Sequence, residues 1–331
     1  MPTANPMPVA HLPLTRDQRE HRAQSDTRHD RWFRFILLTA ALLVLAVMLG
    51  AAASTLWGGR LAFSTFGWSF LTSSEWDVVN GRFGALVPIY GTLMTSLIAL
   101  VLAVPVSFGI ALFLSEIAPP WLRTPVASAV ELLAGIPSII YGMWGLFVFG
   151  PFMAEYLSPV ISEYLGALPL VGAFFQGPAL GIGMLSAGII LAIMILPFIT
   201  SVMYEVFRTV PPALKESAYA LGSTTWEVCW DIVLPYTRSA VVGGIFLGLG
   251  RALGETMAVT FVLGNAHQLS MSLLMPSSSI ASVIANEFNE AYTDLHRSSL
   301  IALGFLLFVV TFIVLLLARL MLARMSRRAG N

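Results

Sequence analysis

The sequence predicts an all-α polytopic membrane protein with six transmembrane helices, and three observations carry that prediction. The 331-residue chain is 57% hydrophobic and only 11% charged. Its apolar residues gather into runs long enough to cross a bilayer, which takes about 20 residues in a helix. None of these runs alternates apolar and polar residues as a membrane strand would. The length alone would also suit two soluble domains, but the hydropathy overrules that reading.

Residues 1–34 form a polar tail with six Arg and three His. So little apolar content cannot build a core, and the tail is expected to be unstructured or to lie on a surface. It is too long and too mixed in charge for the start of a signal peptide, and the apolar run behind it is too long as well. The transmembrane domain is expected over 35–323, with 324–331 as a short C-terminal tail. Its first span is Phe35 to Trp57, without a charge. The second is Val87 to Ser115, with Pro105 as a kink that neighbouring helices must accommodate. The third runs from Pro125 to Met153 and contains Glu131 and Pro137. The fourth is Ala179 to Phe207. The fifth, Ser239 to Leu263, contains Arg251 and Glu255. The sixth is Ser298 to Ala318.

The basic residues orient these spans. Fourteen Lys and Arg flank one side and three the other, with Arg251 inside a span. Positive residues favour the cytoplasm, which puts both termini and the loop between spans four and five there. The opposite loops, 58–85, 154–178 and 264–297, are too small for a ligand-binding domain. Any captured substrate must come from a separate protein. Within 154–178 the apolar patch Leu165 to Phe175 is too short and interrupted for a confident seventh span. All but one of the basic residues are Arg, and the single lysine, Lys215, follows Leu214. A phosphate-binding loop ending Gly-Lys-Ser/Thr is therefore absent, and an ATP-driven machine would need its ATPase on another chain. The balanced charge gives no attraction to nucleic acid. The one cysteine, Cys229, excludes an intrachain disulfide, and a buried free thiol is the ordinary expectation. No cofactor or metal is expected.

The loop between spans four and five is the polar stretch Thr209 to Pro235. Pro211 and Pro212 suit a first helical turn. Ala213 to Leu221 favours helix, and Gly222 can end it in a left-handed conformation. Thr224 with Glu227 reads as a capping box for a second helix, closed by Pro235. Glu216, Ala218 and Gly222 are followed after nine residues by Ile232, Leu234 and Pro235. This spacing resembles the EAA loop of type I ABC-importer permeases, with Ser217 where the first alanine would stand. The resemblance implies that these six residues belong to a loop that docks on a cytoplasmic ATPase. An ordinary amphipathic hairpin is the plainer reading.

Charges within spans cost roughly 2.5–3.5 kcal/mol at mid-depth, so each needs a partner or a wet path. Arg251 and Glu255 are four apart and would share a helix face. They either neutralise each other and lock the bundle, or present a forked donor to an oxyanion with Glu255 tuning it. Glu131 either lines the same path or snorkels at its helix end.

The run Gly250-Arg-Ala-Leu-Gly-Glu-Thr-Met-Ala-Val259, the run Glu131-Leu-Leu-Ala-Gly-Ile-Pro-Ser-Ile-Ile-Tyr-Gly142 and Ala285-Asn-Glu-Phe288 together resemble the permease subunits of bacterial phosphate importers. Arg-Ala-Leu-Gly-Glu-Thr followed by Met-Ala-Val matches their PstC type over the PstA type. The resemblance runs from about residue 85 to 320. It implies the type I ABC-importer permease fold and a substrate path or gate at Arg251, Glu255 and Glu131. It also implies a bacterial inner-membrane location, inorganic phosphate as cargo, a PstA-like second permease, a PstB-like ATPase dimer and a PstS-like phosphate-binding protein. A permease for sulfate, molybdate or phosphonate is the alternative. A secondary transporter would give the EAA-like loop no role. An intramembrane enzyme would need a constellation that the five His, all outside the spans, cannot supply.

Overall fold

The structure is a computed structural model that describes residues 16–169 and 171–329, with side chains from 30 to 323 apart from residue 170. Among the described residues six helices are long and apolar enough to cross a membrane, which makes the chain a multi-pass membrane protein. The chain divides into two compact units, Met1–Ser54 and Thr55–Asn331. In the first, helix α1 (Arg16–Gly58) begins inside the stretch expected to be an unstructured tail. Of the two expectations for the tail, an unstructured one does not hold for residues 16–34, because no Gly or Pro interrupts the chain from Arg16 to Leu49 and helix formers dominate its polar part. Residues 1–15 lie outside the described residues.

In the second unit, α2 (Arg60–Phe66) and α3 (Ser69–Thr72) lead into a small hairpin. Its strands β1 (Trp76–Asp77) and β2 (Arg82–Phe83) are antiparallel, with Trp76 opposite Phe83. The chain then crosses in α4 (Leu86–Ile117), turns through α5 (Pro120–Ala134) and crosses again in α6 (Ser138–Tyr164). After it come α7 (Met184–Arg208), α8 (Pro212–Ala220), α9 (Thr225–Leu253) and α10 (Met257–Val262). The last helices are α11 (Ile280–Glu287) and α12 (Asp294–Ala329).

Helix α7 is the axis of the bundle. Leu191, Ile195, Ile199, Met203 and Phe207 on it are fully buried, and α4, α5 and α9 pack around them. Contact with α4 is close: a Cβ on Gly188 would stand 2.5 Å from Ile98 Cγ2. Small residues at such crossings let helices approach where lipid offers no hydrophobic drive. A second cluster joins Phe70, Phe83, Ile280, Leu300 and Leu303 at the end of the bundle that carries the hairpin.

Three expected spans need correction. The third does not run from 125 to 153, because the helix breaks at Gly135, Ile136 and Pro137 and restarts at Ser138. Pro137 has no N–H and pushes the residue before it away from helical geometry. Glu131 therefore belongs to α5, outside the candidate spans. The fifth is not 239–263, for α9 starts at Thr225 and ends at Leu253. Pro235 does not close the loop's second helix. A wide π-turn at Val228–Val233 just ahead of it absorbs the strain of the proline ring, and the helix continues. The fourth begins at Met184 rather than 179, after Gly181 and Gly183. Leu165 to Phe175 holds turns and one short 3-10 turn, Gly172–Phe174, so it forms no span.

Candidate functional site

Two regions carry the residues singled out by the sequence. The first is the loop around α8. Pro212 occupies its first turn. Gly222 follows with φ +93°, where Gly222 N–H donates to Tyr219 O and Ser223 N–H to Ala218 O. That double bond pattern is a Schellman cap, which satisfies end carbonyls the helix cannot pair itself. Thr224 and Glu227 form the expected capping box: Thr224 N–H donates to Glu227 Oε2 at 2.7 Å and Glu227 N–H to Thr224 Oγ1 at 3.3 Å. The loop is thus helix, tight turn, helix.

The motif residues divide by burial. Ala218 sits in the main core, and Ile232 packs against it. Leu234 is half-buried. Glu216, Gly222 and Pro235 are exposed. Leu221, Trp226 and Tyr219 are exposed beside them, Leu221 at 87%. One side of the loop is bound to the bundle and the other offers an apolar face with a single acidic side chain of the motif.

The second region lies where two helices break. Arg251 is in the last turn of α9, the end a cation favours. Its guanidinium carbon is 5.8 Å from the Phe198 ring centre on α7, and it interacts electrostatically with Tyr141 on α6. The Tyr141 hydroxyl donates to Leu133 O at 3.0 Å and so bridges the α5–α6 break. Arg251 and Glu255 do not share a helix, since α9 ends between them and Gly254 follows its last residue. Glu255 Oε1 instead accepts from Ala258 N–H at 3.1 Å at the start of α10. Among the described residues no carboxylate pairs with Arg251, so the expected four-residue ion pair is replaced by a capped break and an exposed cation. The two breaks are neighbours: α6 and α10 touch at Gly142, where a Cβ would meet Ala258 Cα at 3.0 Å. Glu131 stands apart from Arg251, exposed on α5 beside a small cleft shared with Thr200, Ser201 and Tyr204. Thr200 Oγ1 is buried there without a partner.

The arrangement offers a fixed positive charge beside two helix breaks. Both breaks lie at the ends of candidate spans and leave backbone polar groups there for other partners. A guanidinium beside them supplies fixed charge and forked donors.

Two further ties were not visible as motifs. Lys215 Nζ lies 2.6 Å from Glu116 Oε1 at the end of α4. At the hairpin end, Glu287 gathers Trp76 Nε1 at 2.9 Å, His296 Nε2 at 2.9 Å and His267 Nε2 at 3.0 Å. Trp76 stacks on His267 and Phe83 on His296. Burial alone would push the Glu287 carboxyl up. The hydrogen bonds from His267, Trp76 and His296, with the His267 charge, outweigh it and hold the carboxyl below its ordinary value. Glu287 therefore fastens the hairpin, the loop behind α10, α11 and the start of α12.

Comparison with known proteins agrees with this layout. Residues 107–327 match the family of binding-protein-dependent transport system inner membrane components. The chain is 63% identical to the phosphate transport system permease protein PstC of Xylella fastidiosa (strain 9a5c), over 92% of this chain and 94% of the relative. It is 54% identical to PstC of Mesorhizobium japonicum, over 96% of this chain and 98% of the relative. A chain of the bacterial alginate ABC transporter, crystallised with an alginate pentasaccharide-bound periplasmic protein, shares the fold with a TM-score of 0.60 at 20% identity. That match covers 92% of this chain and 98% of the other.

Proposed function

The chain belongs to the binding-protein-dependent transport system inner membrane components, in the PstC group, and we propose that it forms half of the phosphate path of an ATP-driven importer. It is a transport component rather than an enzyme, and it has the ABC-importer permease fold. The observation that carries the reading is the exposed Arg251, which has no carboxylate partner among the described residues, beside two broken helices. Phosphate near neutral pH is an anion that an apolar path rejects, because losing water costs it many kcal/mol. A fixed guanidinium offsets that loss, and water left on one side lets the ion go again. Glu255 serves the path by capping α10 and holding the break open. Glu131 stands on α5, ahead of the α5–α6 break, and is assigned to the gate.

In this reading the hairpin end faces outward and takes phosphate from a PstS-like binding protein. Both termini and α8 lie on the cytoplasmic side of a bacterial inner membrane, as the Lys and Arg count supports. Glu216, Ala218, Gly222, Ile232, Leu234 and Pro235 build the docking loop for a PstB-like ATPase dimer, and a PstA-like permease completes the path. Closure of the ATPases would move α8 and rock the spans between outward and inward openings.

The test is uptake of labelled phosphate in cells that lack this chain and carry either the native sequence or Arg251→Gln. The native chain should restore uptake, with excess sulfate or molybdate failing to compete. Arg251→Gln should remove most of it while the partner permease and ATPase still co-purify. Because Glu255 caps α10 instead of pairing with Arg251, adding Glu255→Gln should not rescue transport. A double mutant that transports normally would make Arg251 a structural ion-pair member and refute the assignment. Competition by sulfate or molybdate would assign the chain to another oxyanion.

A further inference from the structure

Lys215 is the only lysine in the chain, and it is spent on an ion pair largely hidden from solvent. Its side chain is 18% exposed and that of Glu116 is 6% exposed. The other Lys or Arg ion pairs among the described residues, Arg82–Glu75 and Arg208–Glu205, are half-exposed or more. Exposed pairs contribute little, whereas a buried carboxylate is costly unless a cation and good geometry answer it. Glu116 is also in the closing turn of α4, where the helix dipole disfavours a negative charge. Nothing local explains a glutamate there, and its partner comes from 99 residues away.

The pair joins α8 to the end of α4. Lys215 and Ala218 are three apart and share the inward face of α8. Ala218 offers the core a methyl group, a contact that can slide. The ion pair is directional and resists both approach and withdrawal. Arg123, on α5, donates from Nη2 to Ala118 O at 3.2 Å and grips the same end of α4. The outward face of α8, with Glu216, Tyr219 and Leu221, stays free.

We propose that the Lys215–Glu116 pair is the pin through which movement of α8 reaches α4. The proposal rests on the reading that α8 docks on an ATPase, and it adds the route by which that motion enters the span. Lys215 and Glu116 are positioning residues: they touch neither phosphate nor nucleotide. With the pin removed, α8 can still dock and follow the ATPase, but α4 lags behind. Hydrolysis then proceeds without transport.

The test uses the full complex in lipid vesicles: this chain, its partner permease, the ATPase and the binding protein. The readout is phosphate moved per ATP hydrolysed, with co-purification measured alongside. Lys215→Met and Glu116→Gln should each co-purify and hydrolyse ATP while the ratio falls at least tenfold. Lys215→Arg keeps the charge and should stay within twofold of the native ratio. The reversed pair, Lys215→Glu with Glu116→Lys, should recover at least half of it. Native ratios in both single mutants would overturn the proposal. So would single mutants that lose assembly and hydrolysis together with a reversed pair that regains assembly alone, since that outcome assigns the pair to folding. If the native complex moves sulfate and not phosphate, the reading of the cargo fails. The pin is then judged by the same ratio measured with the ion that is moved.

Discussion

Substitution at Gly222 separates the geometry of the α8 turn from the character of its surface. The residue has φ +93°, and no heavy atom lies within 4 Å of the position a Cβ would take. Gly222→Ala therefore meets no clash and costs only conformational strain. A left-handed alanine costs about 1–2 kcal/mol, or roughly a 5- to 30-fold loss in the population of the native turn. What is lost is specific: the bonds from Gly222 N–H to Tyr219 O at 3.0 Å and from Ser223 N–H to Ala218 O at 3.1 Å. Without them the second half of the loop, capped at Thr224, no longer keeps its angle to α8. Asparagine tolerates a left-handed backbone better than alanine does. Aspartate has a similar tolerance but adds a charge to the exposed face. ATP-driven phosphate uptake, normalised to the amount of chain in the membrane, is the assay. Gly222→Asn should stay within about twofold of native, and Gly222→Ala should fall about tenfold by the strain just given. Gly222→Asp should abolish uptake because it places a negative charge on the exposed docking face. Native uptake by the alanine mutant would refute the argument from the turn. Equal uptake by the asparagine and aspartate mutants would refute the argument from the surface.

Three other outcomes follow from the structure. Gly188→Ala should destabilise the α4–α7 contact by about 1–3 kcal/mol, because its Cβ would stand 2.5 Å from Ile98 Cγ2, and Ile98→Ala should restore most of the melting temperature in detergent. Glu287, whose ordinary value is 4.5, is held below it, so its stabilisation is complete above that pH and is lost as the pH falls through its folded value. The thermal advantage of the native chain over Glu287→Gln should accordingly shrink as the pH falls below 4.5. An advantage that grows on acidification would contradict the sign. Orientation can be read with an impermeant maleimide, but Cys229 is buried and is a poor reporter. In a Cys229→Ser background, Thr225→Cys should label only after the cells are opened, and labelling of intact cells would invert the topology.

What the sequence disclosed follows from the range of the forces involved. The capping box at Thr224 and Glu227 and the left-handed Gly222 are set by neighbours in the chain, so their residue types announced them. The six apolar helices announced themselves because a bilayer demands length and hydropathy and little else. Proline was less informative, since its effect depends on what surrounds it. Pro105 and Pro197 sit inside continuous helices, Pro137 starts a new one, and Pro235 is carried by the wide turn before it. The four-residue spacing of Arg251 and Glu255 suggested a shared face only on the premise of an unbroken helix. Gly254 voids that premise, and the Glu255 side chain is taken up by Ala258 N–H. Lys215–Glu116 and the Glu287 hub were beyond reach for another reason. Their partners meet across as many as 211 residues, and no local period records such a meeting.

The most direct measurement is accumulation of labelled phosphate in vesicles that hold this chain with its partner permease, the ATPase and the binding protein. ATP should drive phosphate to a concentration above that outside, and Arg251→Gln should stop accumulation while the complex stays assembled. Accumulation that persists without ATP, or that proceeds unchanged in the Arg251→Gln complex, would contradict the account.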